Sequence, residues 1–291
     1  MYEEMSRRHL EKMCRDEFEA HYIYKYLSKY LVSNENIKMI FKNASNDEWR
    51  HYLLLSEFVG DCSSKVSHLK ALAFYIISLL FGVTITLKIM ESMERSARES
   101  YSLLVKTDKS ISDRIAELIK DEEIHERNLI NNLNEKRIKY LSSIALGISD
   151  ALVELTGIYA GALGALSSTV NAGLIGLLAG ISAALSMTVA SYTQAKQEVG
   201  KSPKLSALFT GIAYFAVVIA LALPYFITSS ILTAFISMLA IAIMLIAYIS
   251  FYGAVLYDRN YLKEFIEGAF LLLGVSLLLY IIGENLRIAI D

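Results

Sequence analysis

A run of 53 residues, from Leu205 to Tyr257, contains no Asp, Glu, Lys, Arg or His. A second uncharged run of 41 residues extends from Leu155 to Ala195. A helix that crosses a bilayer needs about 20 mostly apolar residues, so both runs are too long to be core helices of a soluble protein. The second half of the chain is therefore predicted to be a helical membrane domain.

The charged residues divide the 291-residue chain into two halves. Residues 1–140 hold 22 basic and 22 acidic side chains, whereas residues 141–291 hold 6 basic and 8 acidic ones. The net charge is −2, which gives no reason to expect nucleic acid as a partner. We predict a charged domain over residues 1–140 and a membrane domain over residues 141–291.

Five spans are predicted in the membrane domain, each separated from the next by a short polar or charged segment. Their ranges are 141–168, 171–194, 205–227, 229–253 and 265–285. Pro224 lies inside the third span, and membrane helices tolerate proline. The chain is thus expected to be a multi-pass protein with the lipid bilayer as its surroundings.

Lys and Arg residues of the short loops all fall on one side of these spans. They are Lys136, Arg137, Lys139, Lys196, Lys201, Lys204, Arg259 and Lys263. Because cytoplasmic loops carry the excess of positive charge, the N-terminal domain is predicted to be cytoplasmic and the C-terminus to lie outside. The charged segment from Glu3 to Asp16 does not resemble a cleavable signal peptide, and none is expected.

The N-terminal domain has the apolar spacing of helices and contains one pattern twice. Each copy has a Glu, a Tyr seven residues after it, and a Glu-x-x-His motif further on. The two copies are Glu17, Tyr24, Glu48 and His51, and Glu94, Tyr101, Glu122 and His125. The Glu-to-Glu separations are 31 and 28 residues, which indicates two helical hairpins related by a pseudo-twofold axis.

This repeated pattern predicts a site for two metal ions. At the spacing i, i+3, the Glu and His of each motif project from one face of a helix. A Glu from each of two helices and a Glu-x-x-His from each of two others is the ligand set of di-iron carboxylate bundles. Mixed oxygen and nitrogen ligands suit iron or manganese better than an ion that selects thiolates, and both of these metals accept them. The predicted ligands are Glu17, Glu48, His51, Glu94, Glu122 and His125, with Glu91 as a seventh.

Two tyrosines of the domain have two possible roles, and three histidines and two cysteines lie outside the repeated pattern. Tyr24 and Tyr101 are either hydrogen-bond donors to the ligands or core packing residues. The histidines outside the pattern are interpreted as structural or exposed; they are His9, His21 and His68. Cys14 and Cys62 form no CxxC and no zinc pattern, and no disulfide is expected.

The segment from Ala71 to Leu87 has 17 residues without a charge. A membrane crossing there would place Glu17 and Glu48 on the other side from Glu91, so the metal site would not assemble. We therefore predict a helix that lies on the membrane surface or against a partner subunit, with a bend near Gly82.

Asp150 and Glu154 are the only acidic residues inside the first predicted span. At the spacing i, i+4 they lie on one helix face, and an ionisable residue within a bilayer is by default a functional residue. A position of Asp150 at the interface, near Lys139, is the alternative. Met187 offers a soft sulfur ligand for an ion in transit. The predicted transport pathway consists of Asp150, Glu154 and Met187.

These motifs carry a resemblance to two families. Glu17, Glu48-x-x-His51, Glu91-x-x-Glu94 and Glu122-x-x-His125 resemble the rubrerythrin-like branch of the ferritin-like superfamily. Two stretches resemble the vacuolar iron transporter family: Leu146-Gly-Ile-Ser-Asp150-Ala-Leu-Val-Glu154-Leu-Thr-Gly157, and Ser186-Met187-Thr-Val-Ala-Ser-Tyr192 followed by Lys196. The order of the two parts is that of membrane-bound ferritin-like iron exporters.

The resemblance implies an all-α fold, a ferritin-like four-helix bundle followed by five membrane spans. It also implies Fe²⁺ export from the cytoplasm by a homodimer, coupled to protons in relatives, with the pathway near the subunit interface. Two features depart from the transporter family. The loop from Ala195 to Lys204 lacks the long acidic insert of fungal and plant relatives, and Ser191 stands where the family often has Glu.

The expected function is efflux of Fe²⁺, or of Mn²⁺, in exchange for H⁺. The N-terminal domain captures, oxidises or senses the metal, and whether it has ferroxidase activity stays open. The alternative is an enzyme, a membrane-anchored di-iron oxidase or peroxidase. The enzyme is disfavoured because a plain anchor needs only one span, not five, and needs no acidic residues inside it. In addition, no C-terminal CxxC centre is present to supply electrons.

Overall fold

The computed structural model describes residues 2–31, 35–63, 68–102, 120, 140–198 and 200–290, without the side chains of residues 2–6, 9, 94–102 and 289–290. The described residues are helical and include no strand, which confirms the all-α fold. The chain divides into two compact units, Met1–Asn134 and Glu135–Asp291.

Unit 1 is a helical bundle region whose described helices are α1 (Tyr2–Tyr30), α2 (Glu35–Val59), α3 (His68–Phe81) and α4 (Val83–Ser102). The packing of α1 against α2 is the most extensive of the unit. Leu27 of α1, Phe41 of α2 and Leu87 of α4 are fully buried in one apolar cluster. Burial of these side chains stabilises the bundle by about 1.5–3 kcal/mol each.

The helices α3 and α4 meet at Gly82. Its φ of +90° lies in the left-handed region that glycine adopts without steric cost, and the expected bend is present there. The 14 residues of α3 extend about 21 Å, which is short of a bilayer of about 30 Å. One face of α3 is buried through Ala71 and Phe74, whereas Leu69 and Leu79 on other faces are exposed.

Cys14 and Cys62 form a disulfide, so the expectation of unpaired cysteines was wrong. The Cα atoms lie 6.0 Å apart although the residues are 48 positions apart in the chain. Cys14 lies on α1 in an apolar cluster with Tyr52 and Leu55 of α2. Packing of α1 against α2 therefore brings Cys14 close to the segment that follows α2. The spacing of the two cysteines in the sequence does not predict this proximity.

Reduction of this disulfide is expected to lower the free energy of unfolding of unit 1 by up to about 4 kcal/mol. The bond closes a loop with a sequence separation of 48 and so restricts the unfolded chain. Trp49, the single tryptophan of the chain, lies on α2 and reports unfolding of this unit. Urea unfolding followed by Trp49 fluorescence, with and without reductant, measures the change. An unchanged midpoint, with Cys14→Ser as the control, would contradict the expectation.

Unit 2 contains five helices that are long and apolar enough to cross a membrane. They are α5 (Leu141–Ala165), α6 (Thr169–Ala195), α7 (Pro203–Ile227), α8 (Ile231–Tyr257) and α9 (Tyr261–Ile290). Local signals set their ends. The Ser168 hydroxyl accepts a hydrogen bond from the Asn171 backbone N–H at 3.3 Å at the start of α6, and Pro203 occupies the first turn of α7.

The first helix of unit 2 lies at the centre of the unit's packing. Contacts join α5 to α6, α7, α8 and α9. The core of the unit contains fully buried large side chains from α5 and α7, namely Leu152, Leu155, Tyr159, Tyr214, Val218, Leu221 and Tyr225. The side chains of α5 that are not buried in this packing include Asp150 and Glu154.

Glycine permits close backbone approach at both ends of α5. A Cβ added at Gly147 would collide with the backbone carbonyl of Thr210 on α7. A Cβ added at Gly283 of α9 would collide with the backbone of Gly161 on α5. Close approach of this kind between small residues strengthens helix packing in membranes. The contacts hold α5 against α7 near its first turns and against α9 near its last turns.

Candidate functional site

Three side chains of the first predicted half-site meet in unit 1. Glu17 comes from α1, and Glu48 and His51 come from one face of α2. One ligand atom from each lies within 4.8 Å of the other two. The His51 Nδ1 atom is 3.6 Å from Glu17 Oε2 and 3.9 Å from Glu48 Oε2. The extensive packing of α1 against α2 thus brings Glu17 close to Glu48 and His51, although Glu17 precedes Glu48 by 31 positions in the chain.

The chemistry of this cluster suits a divalent metal ion. Glu48 and His51 are buried, with 6% and 5% of their surface exposed, and Glu17 is half-buried. Two carboxylates in a buried site repel each other unless a positive charge offsets them. A divalent cation bound by two carboxylates and one imidazole supplies that charge, and iron and manganese accept such ligands. Glu17, Glu48 and His51 are the described residues that would hold it.

Aromatic rings next in the chain to the clustered residues contact one another. The Trp49 ring, next in the chain to Glu48, lies 5.0 Å from the Tyr52 ring and 6.3 Å from the Phe18 ring, measured between centroids. Trp49 itself is exposed. Its indole, the only one of the chain, lies beside the predicted ligands, where it can report metal binding.

The structure describes the other predicted metal ligands only in part. Glu91 is buried on α4, with 3% exposed, but it is not among the three residues whose ligand atoms cluster. The backbone of Glu94 lies on α4, and its side chain is outside the described part, as is that of Tyr101. Glu122 and His125 lie outside the described residues. The second half-site therefore stays a prediction.

Tyr24 lies in the core of unit 1. It is 1% exposed, and its ring centroid is 6.2 Å from that of Phe41. Tyr24 thus packs in the core, and its role as a hydrogen-bond donor to the ligands stays a prediction.

Two of the three histidines outside the pattern make contacts within unit 1. The His21 Nδ1 atom is 2.7 Å from the Ser45 backbone carbonyl, to which it donates. Burial lowers the pKa of His21, although this hydrogen bond acts in the opposite direction. His68 lies 2.9 Å from the Tyr22 hydroxyl through Nδ1. The side chain of His9 is outside the described part.

Two side chains of the predicted transport pathway lie on α5 of unit 2. Asp150 is half-buried and Glu154 is exposed on the surface of the single chain. The hydroxyl of Tyr214, on α7, donates a hydrogen bond of 2.6 Å to Glu154 Oε2. Tyr214 itself is fully buried. Sequence analysis missed this residue, because no local pattern links a tyrosine to a carboxylate 60 positions away.

A hydroxyl cluster lies one helical turn before Tyr214 on α7. Thr210 Oγ1 is 3.0 Å from the Ser143 backbone carbonyl and 2.8 Å from Ser191 Oγ. Ser191 stands where the resembling transporter family often has Glu, and in this chain it is buried and hydrogen-bonded. Met187, on the same helix as Ser191, is half-buried against the apolar core of the unit.

The comparisons with known proteins bear on unit 1. The rubrerythrin family model matches residues 9–133. No curated protein and no solved structure matches the chain. No match to the vacuolar iron transporter family accompanies the rubrerythrin match, so that resemblance stays a prediction. Residues 9–133 are thus a rubrerythrin-type, ferritin-like domain, and five helices long and apolar enough to cross a membrane follow it in the C-terminal part of the chain.

Proposed function

We propose that this protein is a membrane transporter that moves Fe²⁺, or Mn²⁺, out of the cytoplasm in exchange for protons. The rubrerythrin-type domain captures the metal on the cytoplasmic side, and unit 2 carries it across the bilayer. A ferritin-like domain joined to membrane-spanning helices is compatible with this role. The positive charge in the loops supports a cytoplasmic position of the N-terminal domain and an outer C-terminus.

The observation that carries the proposal is the pair of carboxylates on α5. Asp150 and Glu154 lie within a helix long enough to span the membrane, and a buried phenol from another helix holds one of them. Among the residues that the structure describes, no Lys, Arg or His forms an ion pair with either carboxylate. Negative charge is costly at this depth without a counter-ion, and a transported cation is a suitable one.

The exposure of Glu154 supports a homodimer. In a single chain its carboxylate would lie on the outer surface of a membrane helix, in contact with lipid. A second copy that covers this face of α5 removes the contact. Each chain would then contribute Asp150 and Glu154 to a pathway near the subunit interface, with Met187 of α6 as the third pathway residue.

Protonation of these carboxylates is the proposed coupling step. A carboxylate that binds a proton loses its charge and with it most of its attraction for a cation. Metal would therefore leave Asp150 and Glu154 on the side where protons are more abundant. If the protonated carboxylates then become accessible from the cytoplasmic side, they release H⁺ there. Protons would thus move in the direction opposite to Fe²⁺.

The rubrerythrin-type domain would hold its resident metal through Glu17, Glu48 and His51 in the described part. Bound iron there supplies a redox-active centre, as rubrerythrin domains typically bind iron. The chain's own residues fix the ligand atoms and shield them from bulk water. Capture, oxidation and sensing of the incoming metal are all compatible with this arrangement, and Fe²⁺ passes on to unit 2 directly or after release.

Flux measurements on the full-length protein in proteoliposomes test the proposal. Vesicles with an acidic lumen are exposed to external Fe²⁺ under anaerobic conditions, with one dye for iron and one for pH inside. We expect iron to enter and lumenal protons to leave in vesicles whose protein faces its N-terminal domain outward. Protein-free vesicles give the background. Absence of flux for both Fe²⁺ and Mn²⁺ would overturn the proposal.

A membrane-anchored di-iron oxidase or peroxidase is the second candidate. The buried Glu17, Glu48 and His51 cluster in a rubrerythrin-type domain favours it. An enzyme with a plain anchor has no use for the α5 carboxylates or for five apolar helices. Iron-dependent consumption of oxygen or peroxide without metal flux would identify the enzyme.

A further inference from the structure

We propose that Tyr214 makes Glu154 bind cations chiefly through one oxygen and thereby selects against large divalent cations such as Ca²⁺ in the pathway. The inference rests on the proposed function, in which the α5 carboxylates bind the transported ion. In this inference Tyr214, a residue of α7, determines which of several divalent cations the pathway accepts.

The phenol of Tyr214 forms a hydrogen bond to one of the two carboxylate oxygens of Glu154. Its O–H donates to Oε2 at 2.6 Å, a short hydrogen bond of the kind made to a charged acceptor. The donated proton withdraws electron density from Oε2 and blocks one of its lone pairs. Oε1 is then the stronger ligand atom, and a cation beside Glu154 is bound chiefly through that oxygen.

The packing of α5 against α7 fixes this arrangement. One turn before Tyr214, the Thr210 carbonyl lies against Gly147 of α5, where no Cβ would fit. On the same turn, Thr210 Oγ1 lies within hydrogen-bond distance of the Ser143 carbonyl. Tyr214 is fully buried among core side chains, so its ring cannot swing away without a cavity. The phenol therefore stays in place when an ion arrives.

The sizes of the ions turn this geometry into selectivity. Ca²⁺ takes six to eight oxygen ligands and often binds a carboxylate through both oxygens, at about 2.3–2.6 Å. Fe²⁺ and Mn²⁺ accept fewer ligands and are satisfied by single carboxylate oxygens and nitrogen or sulfur donors. A Glu154 that binds chiefly through one oxygen weakens the binding of Ca²⁺ and leaves the binding of Fe²⁺ unaffected.

The test compares two variants that each remove one buried hydroxyl from α7. Tyr214→Phe deletes the donor to Glu154. Tyr225→Phe is the matched control, because Tyr225 is equally buried and its ring stacks on Tyr159, with 4.3 Å between centroids, away from the carboxylates. Both full-length proteins are reconstituted in proteoliposomes, and Fe²⁺ flux is measured against increasing external Ca²⁺. Ca²⁺ flux is measured separately with a lumenal calcium dye.

We expect the Ca²⁺ concentration that halves Fe²⁺ flux to fall about tenfold in Tyr214→Phe, the scale of one hydrogen bond to a charged group. Calcium flux, at background in the wild type, should become measurable. Both quantities should be unchanged in Tyr225→Phe. If Tyr214→Phe does not fold, as judged by gel filtration, Tyr214→Met retains a bulky apolar side chain without the donor and gives the same test.

The outcomes separate this inference from the proposed function. A wild type that moves no Fe²⁺ would overturn the transporter itself. A wild type that moves Fe²⁺, with identical Ca²⁺ sensitivity in Tyr214→Phe and the wild type, would overturn only the role of Tyr214. Equal gains in Ca²⁺ sensitivity in both tyrosine variants would assign the effect to loosened packing and would also overturn it.

Discussion

Replacement of Glu154 by Gln is expected to reduce Fe²⁺ flux by about 100-fold or more, to the rate of protein-free vesicles. Glutamine keeps the size of the side chain, and its amide oxygen still accepts the hydrogen bond from Tyr214. It lacks the charge that attracts the cation, and loss of a charged partner costs about 3–5 kcal/mol in a buried site, which this one becomes when the second copy of the proposed homodimer covers it. A change of that size corresponds to a factor of about 100 or more. We expect the same loss in Asp150→Ala.

The matched control is Glu267→Gln, which removes an acidic side chain at an exposed position of α9, 4.0 Å from Lys263. Its flux should equal that of the wild type. All three variants should bind metal in unit 1 as the wild type does, because that site is built from other helices. Normal flux in Glu154→Gln and Asp150→Ala would exclude the α5 carboxylates from the pathway.

The second large effect is expected at His51. We expect His51→Ala to weaken Mn²⁺ binding by unit 1 by about 100-fold, because substitutions that only reorient a metal ligand already cost about 10–100-fold. The imidazole is the nitrogen donor of the described cluster, and the methyl group of alanine cannot replace it. Quenching of Trp49 fluorescence in the full-length protein measures the binding, since Trp49 follows Glu48 directly.

The matched control for this change is His68→Ala. His68 is exposed, hydrogen-bonded to Tyr22 and outside the cluster, so the variant should bind Mn²⁺ normally. Metal at 100 times its dissociation constant should also stabilise wild-type unit 1 by about 2.7 kcal/mol. His51→Ala should lose most of that gain. Equal affinity and equal stabilisation in His51→Ala and the wild type would show that metal binds elsewhere.

Properties encoded by residues close in sequence were predictable. The uncharged runs predicted five apolar helices, because the bilayer demands a fixed length of apolar chain in each crossing. The spacing of Glu48 and His51 predicted that both face one side of a helix, and the repeat predicted that Glu17 comes from a neighbouring helix. In the described part these three side chains do meet. The break at Gly82 follows from glycine's freedom at positive φ.

Properties that depend on packing between distant segments were not predictable. The Cys14–Cys62 bond requires the angle at which α1 meets α2, and that angle depends on many side chains at once. The hydrogen bond from Tyr214 to Glu154 depends on the rotation of α7 about its own axis. Tyr214 and Tyr225 lie in the same apolar run, and nothing in their local sequence separates a donor to a carboxylate from a ring that stacks.

The glycine contacts at the two ends of α5 limit which parts of unit 2 can move. Backbone meets backbone at Gly147 and Thr210, and again at Gly161 and Gly283, so sliding of these helices past one another would cause collisions. The helices α5, α7 and α9 must therefore travel as one block. In the transporter that we propose, alternating access to Glu154 would therefore come from motion of this block against the remaining helices or a second copy of the chain, and not from rearrangement within the block.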